Sequence, residues 1–352
     1  MLMTHRRFRG PALLVTAAAL ALAAGCSGGS AARPGLEQQD LTVAVVPAVD
    51  SAGFFVALHD GLFEKAGLHV RFVPAISSET VIDQQELSKP GAPGEVDISC
   101  GNYVSYVQAQ QAWDHGQRPR AGDAGILAAN LDIFAEGSVM EPGTVAIYTL
   151  PGSRIRTLAD LKGKTIAINA PGNILYLLVA SVLAEHGIAP SQVRFVTSYA
   201  FPAMAGALEA GKVDAAVLPE PFASAAELQD GATPLADLDQ GATTQFPIEG
   251  YAVTKAWAKA HPKTLAAFYQ ALEEGQEIAD TDRSALQSAM ENLPPGLSVP
   301  AQAAAVMAIP EFPVSGAPVG SINEVQLQRV ADVMEQFLAF PAFNVKSLAM
   351  SG

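Results

Sequence analysis

The twenty residues from Ala203 to Phe222, AMAGALEAGKVDAAVLPEPF, constrain the fold more than any other stretch of the chain. Met204, Ala207, Leu208 and Val213 recur at near-helical spacing. Gly211 stands where such a helix would stop, because glycine tolerates the left-handed conformation that commonly ends one. Val213 to Leu218 follows as a brief apolar run with a single acid, bounded by Gly211 and Pro219. That is the pattern of a strand buried on both faces, as in a sheet covered by helices. The strand delivers Glu220 and Phe222 to its carboxyl end, where open α/β sheets place their ligands. On local chemistry alone, Glu220 between Pro219 and Pro221 is better read as a cap for the next helix.

The same alternation runs through the chain. Leu41 to Pro47 reads as a first strand, Ala48 to Gly53 as a small-residue turn, and Phe55, Leu58, Leu62 and Phe63 as one helical face before a strand at His69–Val73. A helix is expected at Glu79–Leu87, a loop at Lys89–Gly94 and a strand at Glu95–Ser99. Cys100-Gly101-Asn102-Tyr103 then leads into a helix from Val104 to Trp113. Thr144–Leu150 and Thr165–Ile168 are further strands, and Asn173 is a good N-cap for a helix Ile174–His186. Val193–Thr197 and Gly250–Thr254 complete the strands. Lys263–Ala279, Ala301–Met307 and Glu324–Phe340 are expected as later helices, with no periodic repeat.

At the amino end, three arginines precede Pro11–Ala24, an uncharged run of fourteen residues. It is short for a bilayer span and has the layout of an export signal. Small residues then precede Cys26, and Ser27 to Gly35 reads as a flexible tether. Loss of residues 1–25 removes three arginines and no acid, taking the formal charge from −14 to −17. So acidic a chain argues against nucleic acid or an anionic membrane surface as partner. Cys26 and Cys100 are the two cysteines. Acylation of Cys26 would leave no disulfide, and Cys100, with no Lys, Arg or His beside it in sequence, reads as a buried structural cysteine. The roughly 320 residues beyond the leader suffice for two domains.

Several of these stretches resemble the substrate-binding proteins of nitrate, sulfonate, taurine and thiamine-precursor ABC transporters. They are the Gly-Lys-Val-Asp-Ala turn, strand and Glu220-Pro221-Phe222; the helix followed by Gly61-Leu62-Phe63 and Gly67-Leu68; and the acid-initiated strand running into Gly101-Asn102-Tyr103. Leu158-Ala159-Asp160-Leu161-Lys162-Gly163-Lys164 before a strand and Gly172, and the tail from Pro341, complete the set. Leu22-Ala23-Ala24-Gly25-Cys26 resembles a lipoprotein signal-peptidase site, although Ala23 stands where a leucine is usual. The resemblance implies an α/β, two-lobed periplasmic-binding-protein type 2 fold with two interlobe crossings, expected near Pro151 and Gly250. The implied layout is a signal peptide at 1–25, a tether at 26–40, one lobe from 41–150 and 250–352, and a second lobe from 151–249.

By the same resemblance the chain captures a small solute outside the membrane for an ABC permease, as a lipid-anchored monomer with no cofactor, metal or catalytic group. The implied ligand-binding residues are Asp50, Ser51, Phe54, Gly101, Asn102, Tyr103, Gly172, Asn173, Tyr199 and Glu220. Tyr199 lines a pocket or packs within the lobe. These turns carry two acids, Asp50 and Glu220, and no Lys or Arg, which favours a neutral or cationic ligand over an anion. A thiamine-type pyrimidine stacked on Tyr103 or Phe54 fits. The alternative is an enzyme on the same fold, as in fungal pyrimidine-precursor synthases and bacterial menaquinone-pathway enzymes. The fungal synthases carry a cysteine-rich motif and an active-site histidine that this chain lacks.

Overall fold

The computed structural model describes residues 35–87, 95–118, 128–314, 316 and 318–350. The expected signal peptide, Cys26 and most of the tether lie outside the described residues, as does the loop expected at Lys89–Gly94. The strands are β1 (Asp40–Val45), β2 (His69–Pro74), β3 (Ile98–Asn102), β4 (Leu131–Val139), β5 (Val145–Thr149), β6 (Thr165–Ala167), β7 (Arg194–Val196), β8 (Ala215–Pro219), β9 (Thr233–Asp237) and β10 (Pro247–Thr254).

They form two five-stranded sheets, ordered β2-β1-β3-β10-β4 and β7-β6-β8-β5-β9. In the first sheet β1 pairs in parallel with β2 and β3, while β10 runs antiparallel to β3 and β4. In the second, β6 pairs in parallel with β7 and β8, while β5 runs antiparallel to β8 and β9. The two sheets therefore share one plan. In each, the antiparallel strand is the first one reached after the chain crosses from the other sheet.

The crossings lie at 140–144, between β4 and β5, and at 238–246, between β9 and β10. The first falls earlier than the expected Pro151. Pro142 and Gly143 turn the chain, and β5 is already paired with β8 and β9 in the second sheet. Gly250 lies within β10, beyond the second crossing. Arg329, on the helix Glu324–Leu338, donates to the carbonyls of Ala242, Thr244 and Gln245 in that crossing. The same helix packs against helices Tyr103–Asp114 and Ile174–Glu185, one adjoining each sheet.

Period-two alternation divides the core. Leu41, Val43 and Val45 of β1 face a cluster with Phe54, Phe63 and Phe268, where Phe63 and Phe268 stack at 4.8 Å. Ala44 and Val46 face a second cluster that continues through Val104 and Tyr106 to Ile147, Ile166 and Val217 in the second sheet. β8 is buried along its whole length, and the helix Phe201–Glu209 before it ends with Gly211 at φ +65°, as its sequence requires.

Candidate functional site

The carboxyl ends of the parallel strands in both sheets converge on one buried cavity of about 40 Å³. The first sheet contributes Val46, Ala48 and Asp50 after β1, Ser78 after β2, Asn102 at the end of β3, and Ile248 and Glu249 at the start of the antiparallel β10. The second contributes Val145, Asn169, Ile174, Leu175, Phe201 and Pro219, among others. The polar side chains thus come almost entirely from the first sheet, and Asn169 is the exception. Among the described residues no lysine or arginine lines the cavity.

Asp50 and Glu249 dominate its electrostatics. Asp50 is 8% exposed, and its Oδ1 has no hydrogen-bond partner among the described residues. Burial, followed by the neighbouring Glu249 charge, pushes the Asp50 carboxyl well above the ordinary carboxylate range. Burial likewise raises Glu249 to about 7. Its Oε1 accepts hydrogen bonds from Ser51 Oγ at 2.7 Å and Cys100 Sγ at 3.2 Å, which partly offset the desolvation. The Cys100 thiol is itself pushed up, by burial first and then by Glu249, so it stays protonated as a donor.

Glu249 owes its place to irregular strand pairing. The β10–β4 register shifts on either side of it, and such bulges re-aim side chains. Two glycines make room. A Cβ on Gly137 would lie 2.8 Å from Glu249 O and 3.1 Å from its Cγ, and one on Gly250 would lie 2.7 Å from Tyr103 Cε1.

Of the residues expected from sequence, Asp50 and Asn102 line the cavity. The Asn102 side chain is engaged internally: Oδ1 accepts from Ser105 N and Oγ, and Nδ2 donates to Ser78 Oγ. Ser51 sits just behind the lining and orients Glu249. Gly101 packs against Ser78, with room for nothing larger, since an added Cβ would lie 3.0 Å from Ser78 Cβ. Asn173 caps the helix Ile174–Glu185 through Oδ1 and donates from Nδ2 to Asn169 Oδ1 at 2.6 Å, so it supports a lining residue. Gly172 offers its carbonyl to Gln108 Nε2 of the first lobe at 2.9 Å.

Four expectations need correction. Phe54 lies in the aromatic core, 5.4 Å from Phe55 and 5.6 Å from Phe63, because its helix is apolar all round and the Phe cluster draws it inward. Tyr103 is buried against Gly250, and Tyr199 packs on the core; neither lines the cavity. The Glu220 carboxylate is occupied by Ser224 N at 3.0 Å, Ser224 Oγ at 2.8 Å and Ala308 N at 3.2 Å. It serves the start of the helix Phe222–Asp230, which is the capping role its local chemistry suggested. Sequence reading missed Glu249, Ser78 and Asn169. The signal for Glu249 was there: a lone acid in PIEGYAVT, a run otherwise suited to a buried strand.

A roomier depression of about 650 Å³ lies at the opposite edge of the first sheet, beside Asp97, Trp113, Trp257 and His261. Asp97 there is fully engaged by Thr42 N, Gln38 Nε2 and Trp257 Nε1, so its carboxylate ties the edge together. Among the described residues no cluster of three or more His, Cys, Asp and Glu is placed to hold a metal ion. No helix among them is long and apolar enough to cross a membrane.

Residues 34–293 match the NMT1-like family. The chain belongs to that family. Its curated relatives include the bicarbonate transport ATP-binding protein CmpC of Synechocystis sp., 27% identical over 252 residues, covering 69% of this chain and 35% of CmpC. The chain thus spans about a third of the length of the curated relatives it matches. Among solved structures, the alkanesulfonate-binding protein SsuA from Xanthomonas axonopodis pv. citri, bound to MOPS, has a TM-score of 0.67 at 20% identity, covering 90% of this chain and 100% of SsuA. The periplasmic nitrate-binding protein NrtA from Synechocystis PCC 6803 has a TM-score of 0.72 at 14% identity, covering 89% and 85%. The desulfurization enzyme DSZB shares the fold at a TM-score of 0.56 and 15% identity, covering 89% and 96%. The fold is therefore the two-lobed α/β fold of periplasmic binding proteins, on which both receptors and an enzyme are built.

Proposed function

We propose that this NMT1-like chain is the extracytoplasmic solute-binding component of an ABC importer, holding a small organic solute between its lobes and handing it to the permease. The observation that carries this reading is the buried cavity between the carboxyl edges of two sheets joined, among the described residues, by two crossings. On this reading the described residues within 40–139 and 247–350 make up one lobe and those within 145–237 the other. Two short crossings permit hinge closure of one lobe on the other. The closed cavity has the volume of about one water molecule, so a solute enters only when the lobes part. Among the described residues three hydrogen bonds join the closed lobes, Val49 N to Glu220 O, Ala308 N to Glu220 Oε1, and Gln108 Nε2 to Gly172 O, beside the apolar packing that continues from one lobe to the other.

The enzyme alternative differs in its products. Thermal-shift screening of the leaderless chain against small metabolites should find one chemical class that raises the melting temperature, with the bound compound recovered unchanged by mass spectrometry. A product formed from that compound would move the protein to the enzyme reading.

The receptor reading also includes a lipid anchor and a monomeric state. Wild-type protein expressed with its leader is expected to partition into detergent with an acylated Cys26, and Cys26→Ala to remain soluble or unprocessed. An unmodified Cys26 in the mature protein would end the anchor proposal while leaving solute binding intact.

A further inference from the structure

The cavity places two carboxyls, Asp50 and Glu249, on its first-lobe wall and six apolar side chains, Val145, Ile174, Leu175, Leu178, Phe201 and Pro219, on its second-lobe wall. A buried carboxylate oxygen without a partner is costly and rare in a folded protein, so the uncompensated Asp50 Oδ1 is a feature to be explained. Internal structure does not explain it: Ser51 and Cys100 are directed to Glu249, and Ser78 and Asn102 hydrogen-bond each other. Glu79 Oε2 and Glu86 Oε2 are also without a partner among the described residues, but neither residue lines this cavity. Asp97 and Glu220 show the contrast: each is held by three hydrogen bonds, as structural carboxylates are.

From the receptor reading, on which this step rests, we infer that Asp50 and Glu249 form the recognition centre for a ligand bearing a cationic or N–H-rich nitrogen group on a compact apolar body. An amidine, a protonated amine or an amino-substituted nitrogen heterocycle meets that description. Nitrogen donors would satisfy Asp50 Oδ1 and supply the positive charge that the lining lacks, while the apolar body packs against the second-lobe wall. An oxyanion meets the opposite conditions: among the described residues no lysine or arginine lines the cavity to receive it, and the negative charge it brings would oppose ionisation of Asp50 and Glu249. Burial supports the same assignment, because both carboxyls are shifted upward in the unliganded protein and a bound cation would bring them back down.

Calorimetry on the leaderless chain tests this, with benzamidine, 4-aminopyrimidine and tryptamine as nitrogen probes, and nitrate, bicarbonate, taurine and ethanesulfonate as anionic or zwitterionic ones. Asp50→Asn and Glu249→Gln are run beside wild type, each first checked for an unliganded melting temperature no lower than wild type above neutral pH. At least one nitrogen probe should bind, and each variant should weaken it tenfold or more. Nitrate, bicarbonate and ethanesulfonate should not bind. Binding of those anions in place of the nitrogen probes would overturn the assignment while leaving the receptor reading standing. So would a nitrogen probe whose affinity neither variant changes. Conversion of a bound probe into product would count against the receptor reading instead.

Discussion

In unliganded protein, Glu249→Gln should raise the melting temperature near pH 8 and leave it almost unchanged near pH 5, reversing the usual penalty of a core substitution. The folded chain keeps the Glu249 proton up to about pH 7, whereas the unfolded chain releases it near the ordinary value of 4.5. Between those values the folded state binds the extra proton, so stability falls as pH rises through the window. Asp50, Glu220 and Glu136, all raised mainly by burial, act in the same direction. Glutamine keeps the acceptor oxygen used by Ser51 and Cys100 and never ionises. The gain above neutral pH should therefore be on the order of 2 kcal/mol, since a pKa unit is worth about 1.4 kcal/mol. Melting curves at a series of pH values decide the matter. A variant that loses stability at every pH would show that the Glu249 charge is compensated within the fold.

Gly275→Val should be the most damaging single substitution on the outer face of the first lobe, costing about 3 kcal/mol. Gly275 lies in the helix Pro262–Thr281, where it crosses Ala52–His59. A Cβ there would press on Gly53 O and lie 2.7 Å from Ala57 Cβ and 2.9 Å from Ala57 N. The approach is reciprocal, since a Cβ on Gly53 would lie 2.5 Å from Gln276 Cγ. Backbone atoms have no rotamer with which to yield, so the helices must separate. That disturbs the Phe63–Phe268 stack and the hydrogen bonds from Gln276 Nε2 to Glu136 O and Gly137 O beside the bulge. Urea denaturation gives the shift directly. A midpoint within error of wild type would contradict the close packing of these helices.

Most of the helices and the parallel strands were legible because their signals are local, although the helix Arg283–Glu291 was not expected and β3 begins at Ile98, three residues later than the expected Glu95. Gly211 ends the helix Phe201–Glu209, Asn173 caps Ile174–Glu185, and β8 is a buried run between a glycine and a proline. At Glu220 local chemistry favoured a cap and the family resemblance a ligand contact, and its carboxylate is held by Ser224 and Ala308. β4 was not, because Gly137 interrupts its pattern where the strand bulges against β10. Starting β10 at Gly250 left Glu249 outside the strand, and with it the acid that faces Asp50. The shared order of the two sheets rests on pairings between distant segments, which no local periodicity records. Phe54 illustrates the remaining limit: in AGFFVALH every face is apolar, so spacing alone does not say which phenylalanine faces a ligand.

Closure of the lobes on a solute is most directly measured by small-angle scattering of the leaderless chain, with and without the compound that calorimetry identifies. Unliganded protein should scatter as a mixture that includes a form more open than the structure described above. Ligand should reduce the radius of gyration and bring the curve onto the one calculated from the closed lobes, with Val49–Glu220 and Gln108–Gly172 in contact. A bound solute that left the scattering curve unchanged would contradict hinge closure around the cavity.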